Sequence, residues 1–361
     1  MEPLKVMFNP AYFAKLARVI KIVHSTFAAN RFLNEVTKSL TTQSLNERMR
    51  HAASLLPAFL PASYPKAVGI LKEAVSQMPP GYTNLLFPEY VAMHGQNHFE
   101  ESLDALHYFT SFGSSEFAIR VFLKNDLNRT LPLVYRWAED NNEHVRRLAS
   151  EGTRPRLPWS FKLEAFANKP QLAEPILSTL RADEALYVRK SVANHLNDIS
   201  KDSPDYALTL IRKWDLTHPH TSWIVKRGCR SLLKQGDKQS LRVFGFSGNP
   251  KVVIKALKLD KREIRLNETL SFSVSIQSAA QAAQKLMIDY RIYFQKKTGK
   301  AQPKVFKWKE LTIHHHDILL LTKRQRFQDF TTRKHYPGRH RVEVLVNGEV
   351  MAHKDFRLVI K

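Results

Sequence analysis

The sequence predicts an all-α repeat solenoid in residues 1–247, followed by an all-β sandwich in residues 248–361. Three observations support this fold class. Apolar residues recur at helical spacing through the first part of the chain. Similar pairs of helices return after 43 and 37 residues, and beyond Gly248 polar and apolar residues alternate with a period of two.

Length and composition indicate a folded protein. The 361 residues suffice for two domains, and the contents of 43% hydrophobic and 25% charged residues are typical of globular chains. A run of 18 apolar residues and the hydrophobic segment of a signal peptide are both missing, which predicts a cytoplasmic protein. The single cysteine, Cys229, excludes an intrachain disulfide and a thiolate zinc cluster, and it lies on an apolar stripe.

The charge predicts a polyanionic partner. The chain carries 56 Lys and Arg against 33 Asp and Glu, a net charge of +23. Nucleic acid is the first candidate and an acidic membrane the second, but an anchor helix or lipidation motif is not found. Residues 248–361 hold 24 basic and 10 acidic residues, a net +14, so the C-terminal domain is expected to share in binding.

Residues 1 to about 110 predict helices punctuated by prolines, with apolar positions such as Phe13, Leu16 and Ile20 on one face. Further on, Ser114 and Ser115 are good N-cap candidates. They would place Glu116 in the first turn of a helix, where a carboxylate interacts favourably with the helix dipole. On local sequence alone, this capping position is the preferred interpretation of Glu116.

Three helical hairpins follow from Asn128. Their second helices each open on a valine followed by two cations, at Val145, Val188 and Val225. The separations match HEAT-like repeats, which have roughly 40 to 47 residues, better than TPR units. Stacked hairpins form a solenoid in which the second helices usually line the concave face.

The faces opposite the apolar stripes predict a basic column. At 100° per residue, Arg147, Lys190 and Arg227 occupy equivalent positions on the three helices. Glu151 and Asp198 lie beside this column, and Trp159 follows the first helix after a run of Gly and Pro. Carboxylates among cations, next to an indole, are unusual in a plain scaffold.

The C-terminal residues predict a sandwich of immunoglobulin type without the paired cysteines of antibody domains. Alternating segments begin near Phe272, Ile288 and Val342, and Asn347–Gly348 is a hairpin turn signal. Consecutive histidines in a strand point to opposite faces, so His314–His316 are not expected to converge on a metal. His94, His98 and His107 lack a further ligand at zinc-site spacing. Neither a metal nor a cofactor is predicted.

Two long motifs, RRLASEGTRPRLPW and VRKSVANHLNDISKD, with SSEFAIRVFL upstream, carry a resemblance to a known family. The sequence resembles the AlkC family of bacterial alkylpurine DNA glycosylases, relatives of AlkD built from HEAT-like repeats. The likeness covers the helical region. The C-terminal domain also looks like the immunoglobulin-like domain that some members carry.

The resemblance implies a monomeric base-excision repair enzyme that acts on double-stranded DNA. Its substrates would be cationic minor-groove lesions, chiefly 3-methyladenine and also 3-methylcytosine, removed while the lesion stays stacked. Asp198 and Glu151 are predicted to stabilise the sugar cation and to position water, and by resemblance Glu116 joins them. Trp159 would stack on the sugar or face the cationic base. The predicted phosphate contacts are Arg147, Arg154, Arg156, Arg189, Lys190 and Arg227.

Other interpretations remain open. Glu151 could simply pair with Arg147, Asp198 with Lys190 or Lys201, and Trp159 could be a hydrophobic plug between hairpins. A non-catalytic HEAT-repeat scaffold that binds nucleic acid or an acidic protein explains the charge equally well, and an RNA-directed enzyme is a third alternative. Placement of Asp198 and Glu151 on different sides, or burial of both against structural cations, would argue against an enzyme.

Overall fold

The computed structural model describes residues 4–330 and 333–360 and divides into two compact units, which meet between Gly228 and Cys229. The first unit is helical. Its α-helices are α1 (Pro10–Val23), α2 (Ala29–Thr37), α3 (Leu45–Leu55), α4 (Tyr64–Ser76), α5 (Leu86–His94), α6 (Phe99–Phe109), α7 (Ile119–Asn125), α8 (Leu127–Trp137), α9 (Glu143–Gly152), α10 (Glu164–Asn168), α11 (Glu174–Thr179), α12 (Leu186–Asp202), α13 (Pro204–Arg212) and α14 (Pro219–Gly228).

The second unit begins with two short helices and continues as β-structure. Its elements are α15 (Arg230–Gln235), α16 (Lys238–Val243), β1 (Val252–Leu259), β2 (Glu263–Arg265), β3 (Thr269–Ser278), β4 (Gln284–Gln295), β5 (Ala301–Ile313), β6 (Ile318–Arg326), β7 (Gly338–Val346) and β8 (Glu349–Val359). The predicted fold class, a helical domain followed by an immunoglobulin-like domain, is confirmed.

The repeat prediction is confirmed by the packing of the second helices. Helix α12 packs against α9 on one side and α14 on the other. Val145, Val188 and Val225 are fully buried, as the apolar stripe requires. Trp137 and Trp214, which end first helices, are buried as well.

The second helix of the third hairpin is shorter than its sequence suggests. The apolar residues Val225, Cys229 and Leu232 keep helical spacing across this segment, but α14 ends at Gly228 and α15 starts at Arg230. Gly228 packs against Leu196, and a Cβ at this position would lie 2.6 Å from a Leu196 methyl group. Glycine is a weak helix former, so the close approach and the break occur at the same residue. Cys229 is buried in this break.

The expected N-cap at Ser114 and Ser115 is wrong. Helix α7 starts at Ile119 with Ala118 at the N-cap position, and its cap has no side-chain hydrogen bond. The Ser115 hydroxyl donates to the Leu106 carbonyl instead, at 2.7 Å. Glu116 therefore lies in the turn before α7 and outside its first helical turn.

The β-structure consists of two sheets. Strands β1, β3 and β6 form the first, and β2, β8, β7, β4 and β5 form the second, in that order. All pairs are antiparallel except β2 and β8. Asn347 and Gly348 connect β7 to β8, and both have positive φ, as a two-residue hairpin turn requires.

Helices α15 and α16 pack on the second sheet. Leu233, Leu241, Phe246 and Met287 form one apolar cluster. Gly236 and Gly348 approach so closely that a Cβ on Gly348 would lie 2.2 Å from the Gly236 Cα. The predicted domain boundary at residue 248 follows the last helix, whereas the contacts group these two helices with the β-structure. That boundary stays a prediction about the functional domains.

Candidate active site

The candidate site lies where α9, α12 and the turn before α7 meet. Helices α9 and α12 are joined by two hydrogen bonds, from the Ser191 hydroxyl to the Ser150 hydroxyl at 3.1 Å and from His195 Nδ1 to the Ser150 carbonyl at 3.0 Å. These bonds fix the register of the helices. They bring Glu151, next to Ser150, to the same place as Asp198, one turn beyond His195.

Arg154 connects the two carboxylates. Its Nη1 lies 2.6 Å from Oε1 of Glu151, and its Nε lies 2.8 Å from Oδ2 of Asp198. All three side chains are buried, with exposed fractions of 6% for Glu151, 4% for Asp198 and 7% for Arg154. Arg154 therefore binds one oxygen of each carboxylate.

Arg147 adds the third carboxylate. Its Nη1 pairs with Oε2 of Glu116 and hydrogen bonds to the Ser114 hydroxyl at 2.8 Å. Its Nη2 lies 3.8 Å from Oε1 of Glu151, and its guanidinium lies over the Tyr187 ring. The predicted carboxylates Glu116, Glu151 and Asp198 therefore form one chain of ion pairs, linked by two arginines.

The electrostatics of this cluster are those of buried charges. Burial raises the pKa of Asp198 above its ordinary value, and the opposing effect of Arg154 is smaller. Burial lowers the pKa of Arg147, but Glu116 and Glu151 outweigh it and the net pKa is raised. Burial, and to a smaller extent the charge of Arg154, lowers the pKa of His195 to about 3, so this imidazole is neutral.

Trp159 is exposed and strained. Its side chain is 62% exposed, which excludes the plug between hairpins, and its φ of 64° lies in the left-handed region. A bulky residue there is a true outlier, and such strain collects at functional sites. The ring meets Tyr82 edge to face, with centroids 6.1 Å apart. Tyr82 is itself held by a 2.5 Å hydrogen bond to Asn46.

Two of the six predicted phosphate contacts, Arg147 and Arg154, are the arginines that pair with the carboxylates. The other four lie nearer the surface. Arg156 is exposed and pairs with Asp202 at 2.6 Å, while Arg189 donates to the carbonyls of Asp183 and Glu184. Lys190 is exposed on α12, and Arg227 is exposed on α14 with its guanidinium over Trp223.

Sequence reasoning missed two residues of this region, Arg120 and Tyr82. Arg120 on α7 is fully buried and donates to the carbonyls of Gly152 and Arg154. It was visible as the single cation in the apolar run FAIRVFL, a pattern typical of a buried, hydrogen-bonded arginine. Tyr82 gave no local signal, because its contact with Trp159 spans 77 residues.

Several histidines considered as metal ligands contact other side chains. Among residues 4–330 and 333–360, three His, Cys, Asp or Glu side chains are nowhere grouped as a metal site would require. His98 stacks on Tyr64, and His107 pairs with Asp140. His315 and His316 lie in the turn between β5 and β6. Within the same described residues, none of the helices is long and apolar enough to cross a membrane.

Comparison with known proteins places this arrangement in a family. Residues 105–232 match the family model described as DNA alkylation repair enzyme, and residues 253–360 match the model described as Uncharacterised protein YhaZ, C-terminal Ig-like domain. The chain is 42% identical to the Uncharacterized protein YhaZ of Bacillus subtilis (strain 168), over 99% of this chain and all of that protein.

A solved structure decides the assignment. It is the alkylpurine DNA glycosylase AlkC of Pseudomonas fluorescens bound to DNA containing an abasic site analog. The two chains are 44% identical, the match covers 99% of this chain and 100% of that one, and the TM-score is 0.96. The chain belongs to the AlkC family.

Membership of the AlkC family confirms the resemblance drawn from the motifs around Glu116, Glu151 and Asp198. It also accounts for both units, because the match runs through the helical unit and the immunoglobulin-like domain alike. The AlkC fold brings the three carboxylates into one cluster and presents Trp159 from the loop that follows α9.

Proposed function

We propose that this AlkC-family protein is a DNA glycosylase that hydrolyses the N-glycosidic bond of cationic alkylated bases in duplex DNA. The observation that carries the proposal is the joining of Glu116, Glu151 and Asp198 into one cluster, on which the loop bearing the exposed Trp159 is anchored. The relative AlkC, 44% identical, is an alkylpurine DNA glycosylase bound to DNA with an abasic site analog. An abasic site is what base removal leaves.

The proposed chemistry suits carboxylates. A base methylated on a ring nitrogen is positively charged, so it leaves as a neutral molecule without protonation by a general acid. As the bond from C1′ to the base breaks, its electron pair passes to the base and positive charge develops on the sugar. A water oxygen bonds to C1′ and gives its proton to a carboxylate. Asp198 and Glu151 would stabilise the sugar cation, with Glu116 beside them.

Glu151 and Asp198 are both buried against the cation Arg154, an outcome that the sequence analysis counted against an enzyme. Stability alone is nevertheless a poor explanation for this pairing. A buried ion-pair network generally stabilises a protein no more than apolar packing of the same volume would. Asp198, Glu151 and Arg154 nevertheless occupy such a site, and the pKa of Asp198 is perturbed, as is common for groups that react. Arg154 binds one oxygen of each carboxylate and so orients both of them.

The substrates we propose are 3-methyladenine and 3-methylcytosine, excised while the base remains stacked in the duplex. Trp159 is exposed and would contact the sugar or the base, and a cation–π contact of roughly 0.5–2 kcal/mol would favour a charged base over a neutral one. The partner is double-stranded DNA, bound by a monomer. The exposed Lys190 and Arg227 would contact phosphates on either side of the lesion.

The C-terminal domain would add to DNA binding. Lys296, Lys297, Lys304, Arg333 and Lys334 line one recess of the immunoglobulin-like domain together with Tyr336. Among the described residues, an acidic side chain does not line this recess. Deletion of residues 248–361 should therefore lower the affinity for duplex DNA and the steepness of its salt dependence. An unchanged affinity and salt slope would contradict this role.

Base release from alkylated duplex DNA tests the function. The wild-type protein should release 3-methyladenine and 3-methylcytosine, identified by mass, and Asp198→Asn should bind the DNA fully but release neither. A scaffold would release no base in either form. A parallel reaction with methylated RNA addresses an RNA-directed enzyme, and a fluorescent base opposite the lesion reports whether the lesion leaves the stack.

A further inference from the structure

Arg120 on α7 is buried completely and uses its guanidinium for backbone carbonyls. Nη1 donates to the carbonyl of Gly152 at 3.1 Å and to that of Arg154 at 2.6 Å, and Nη2 donates to the carbonyl of Phe161. Its Nε lacks a hydrogen-bond partner among the described residues. Nor does a salt bridge reach Arg120 within residues 4–330 and 333–360, so its charge is not directly paired.

The three carbonyls belong to one segment of chain. Residues 152–161 run from the end of α9 to the approach of α10, and we name them the tryptophan loop. Arg120 binds the loop at its beginning, at Arg154 and again at its end. Between the last two contacts lies Trp159 with its left-handed backbone. The loop therefore holds both the arginine that orients two carboxylates and the exposed indole.

The charge of Arg120 also bears on the cluster. Burial, and to a smaller extent the charge of Arg154, lowers the pKa of Arg120 to about 10, so the guanidinium remains protonated at neutral pH. Glu116, Asp198 and Glu151 act in the opposite direction and favour its charged form. Arg120 therefore differs from a buried arginine that only binds backbone carbonyls, because its charge also interacts with the three carboxylates of the cluster.

We propose that Arg120 is a positioning residue of the reaction. It fixes the tryptophan loop so that Arg154 meets Glu151 and Asp198 while Trp159 faces the DNA, and it adds a third positive charge beside three carboxylates. This inference rests on the proposed glycosylase function. Arg120 is too deeply buried to contact a substrate, so we expect it to act on the rate of base release through the loop.

The helical unit contains a matched control, Arg48 on α3. Arg48 is also buried, and it donates to the backbone carbonyls of Lys5 at 2.8 Å, Phe8 at 3.0 Å and Leu40. Its Nε too is unpartnered within the described residues. The carbonyls that Arg48 holds lie in the N-terminal segment and in the approach to α3, outside the tryptophan loop.

The experiment compares Arg120→Lys with Arg48→Lys in the full-length protein. Lysine keeps the charge but cannot reach three carbonyls with a fork of donors. Single-turnover base release should fall on the order of 100-fold in Arg120→Lys, since small misplacement of reacting groups has effects of that size. Affinity for abasic duplex DNA should change far less than the rate. Arg48→Lys should show a comparable loss in Tm and keep the wild-type rate.

A second variant disturbs the contact between Arg120 and the tryptophan loop but keeps the arginine. In Gly152→Ala the new Cβ would lie 2.5 Å from Ile119 Cγ2, which pushes the start of the tryptophan loop away from α7. We expect the same selective loss of rate. We also expect altered acrylamide quenching of Trp159, measured as the difference between each protein and its Trp159→Phe derivative, in both variants but not in Arg48→Lys.

Wild-type rates in Arg120→Lys, or an equal loss of rate in Arg48→Lys, would overturn the inference. Unfolding of Arg120→Lys together with a wild-type rate in Gly152→Ala would do the same, because Arg120 would then serve stability alone. These outcomes are distinct from failure of the proposed function, in which the wild-type protein itself would release no alkylated base.

Discussion

Two arginines in the tryptophan loop make ion pairs in very different surroundings. Arg154 is 7% exposed and binds Asp198 at 2.8 Å and Glu151 at 2.6 Å. Arg156, two residues on, has a side chain that is 54% exposed and binds Asp202 at 2.8 and 2.6 Å. Both were predicted from the sequence to hold DNA phosphates. Replacing each of them by methionine separates that role from the pairing seen in the structure.

The structure gives the expected magnitudes. Removing Arg154 takes the directly bonded cation away from Asp198 and leaves Glu151 the longer contact with Arg147, at 3.8 Å; breaking such a buried pair costs about 3–5 kcal/mol. Removing Arg156 breaks an exposed pair, which contributes about 0–1 kcal/mol. For DNA binding, by contrast, we expect the loss of Arg156 to have the larger effect. If Arg156 holds a phosphate, its loss reduces the slope of log affinity against log salt by about 0.9. The guanidinium of Arg154 is buried between the two carboxylates, so it does not reach a phosphate and its loss should leave the slope unchanged.

Urea unfolding of the full-length variants, followed by far-UV circular dichroism of the helical unit, measures the first pair of values. Fluorescence anisotropy with abasic duplex DNA at several salt concentrations measures the second. The reasoning is refuted if Arg154→Met costs no more free energy of unfolding than Arg156→Met, or if Arg154→Met reduces the salt slope by about 0.9.

Further predictions concern Asp198, Trp159 and the helices that pack on the second sheet. Because burial raises the pKa of Asp198, its ionised form is disfavoured in the folded protein. At neutral pH the Tm of Asp198→Asn should therefore be no lower than that of the wild type. At acidic pH Asp198 is protonated and this cost disappears, so the Tm of the variant should fall relative to that of the wild type. The rate of base release should likewise fall as the pH decreases through this raised pKa, as stopped assays across pH will show. Trp159→Leu should slow release of a cationic base about 2- to 30-fold, equivalent to roughly 0.5–2 kcal/mol, with a smaller effect on a neutral base. A fragment of residues 229–361 should give a cooperative thermal transition. A fragment of residues 248–361 should not, because it lacks the helices that cover Met287. Gly348→Ala should destabilise the longer fragment, because the new Cβ would collide with Gly236.

Periodicity made much of this fold predictable. The valines at the start of α9, α12 and α14, the alternation in β3, β4 and β7, and the Asn347–Gly348 turn are local patterns with a direct physical cause. Local patterns also misled. Ser114 and Ser115 look like an N-cap, but the tertiary contacts of Ser115 with Leu106 and of Glu116 with Arg147 move the start of α7 to Ile119.

The candidate site was predictable in composition but not in its pairing. A helical projection places Glu151 and Asp198 near the basic column, and the family motifs add Glu116 and Trp159. It does not show that Arg154, from a loop without helical phase, would lie between the carboxylates. Nor does it show that Arg120 would hold that loop from α7. Both contacts depend on how α7, α9 and α12 pack, and this packing is set by distant residues such as Ser150 and His195.

The central claim is that the clustered carboxylates carry out base removal. The most direct measurement is the single-turnover rate of 3-methyladenine release from alkylated duplex DNA by the wild-type protein and by Glu116→Gln, Glu151→Gln and Asp198→Asn, alongside their affinities for abasic duplex. Release by the wild type, with loss of rate in the variants at unchanged affinity and the largest loss in Asp198→Asn, is the predicted result. Wild-type rates in all three variants would contradict the claim.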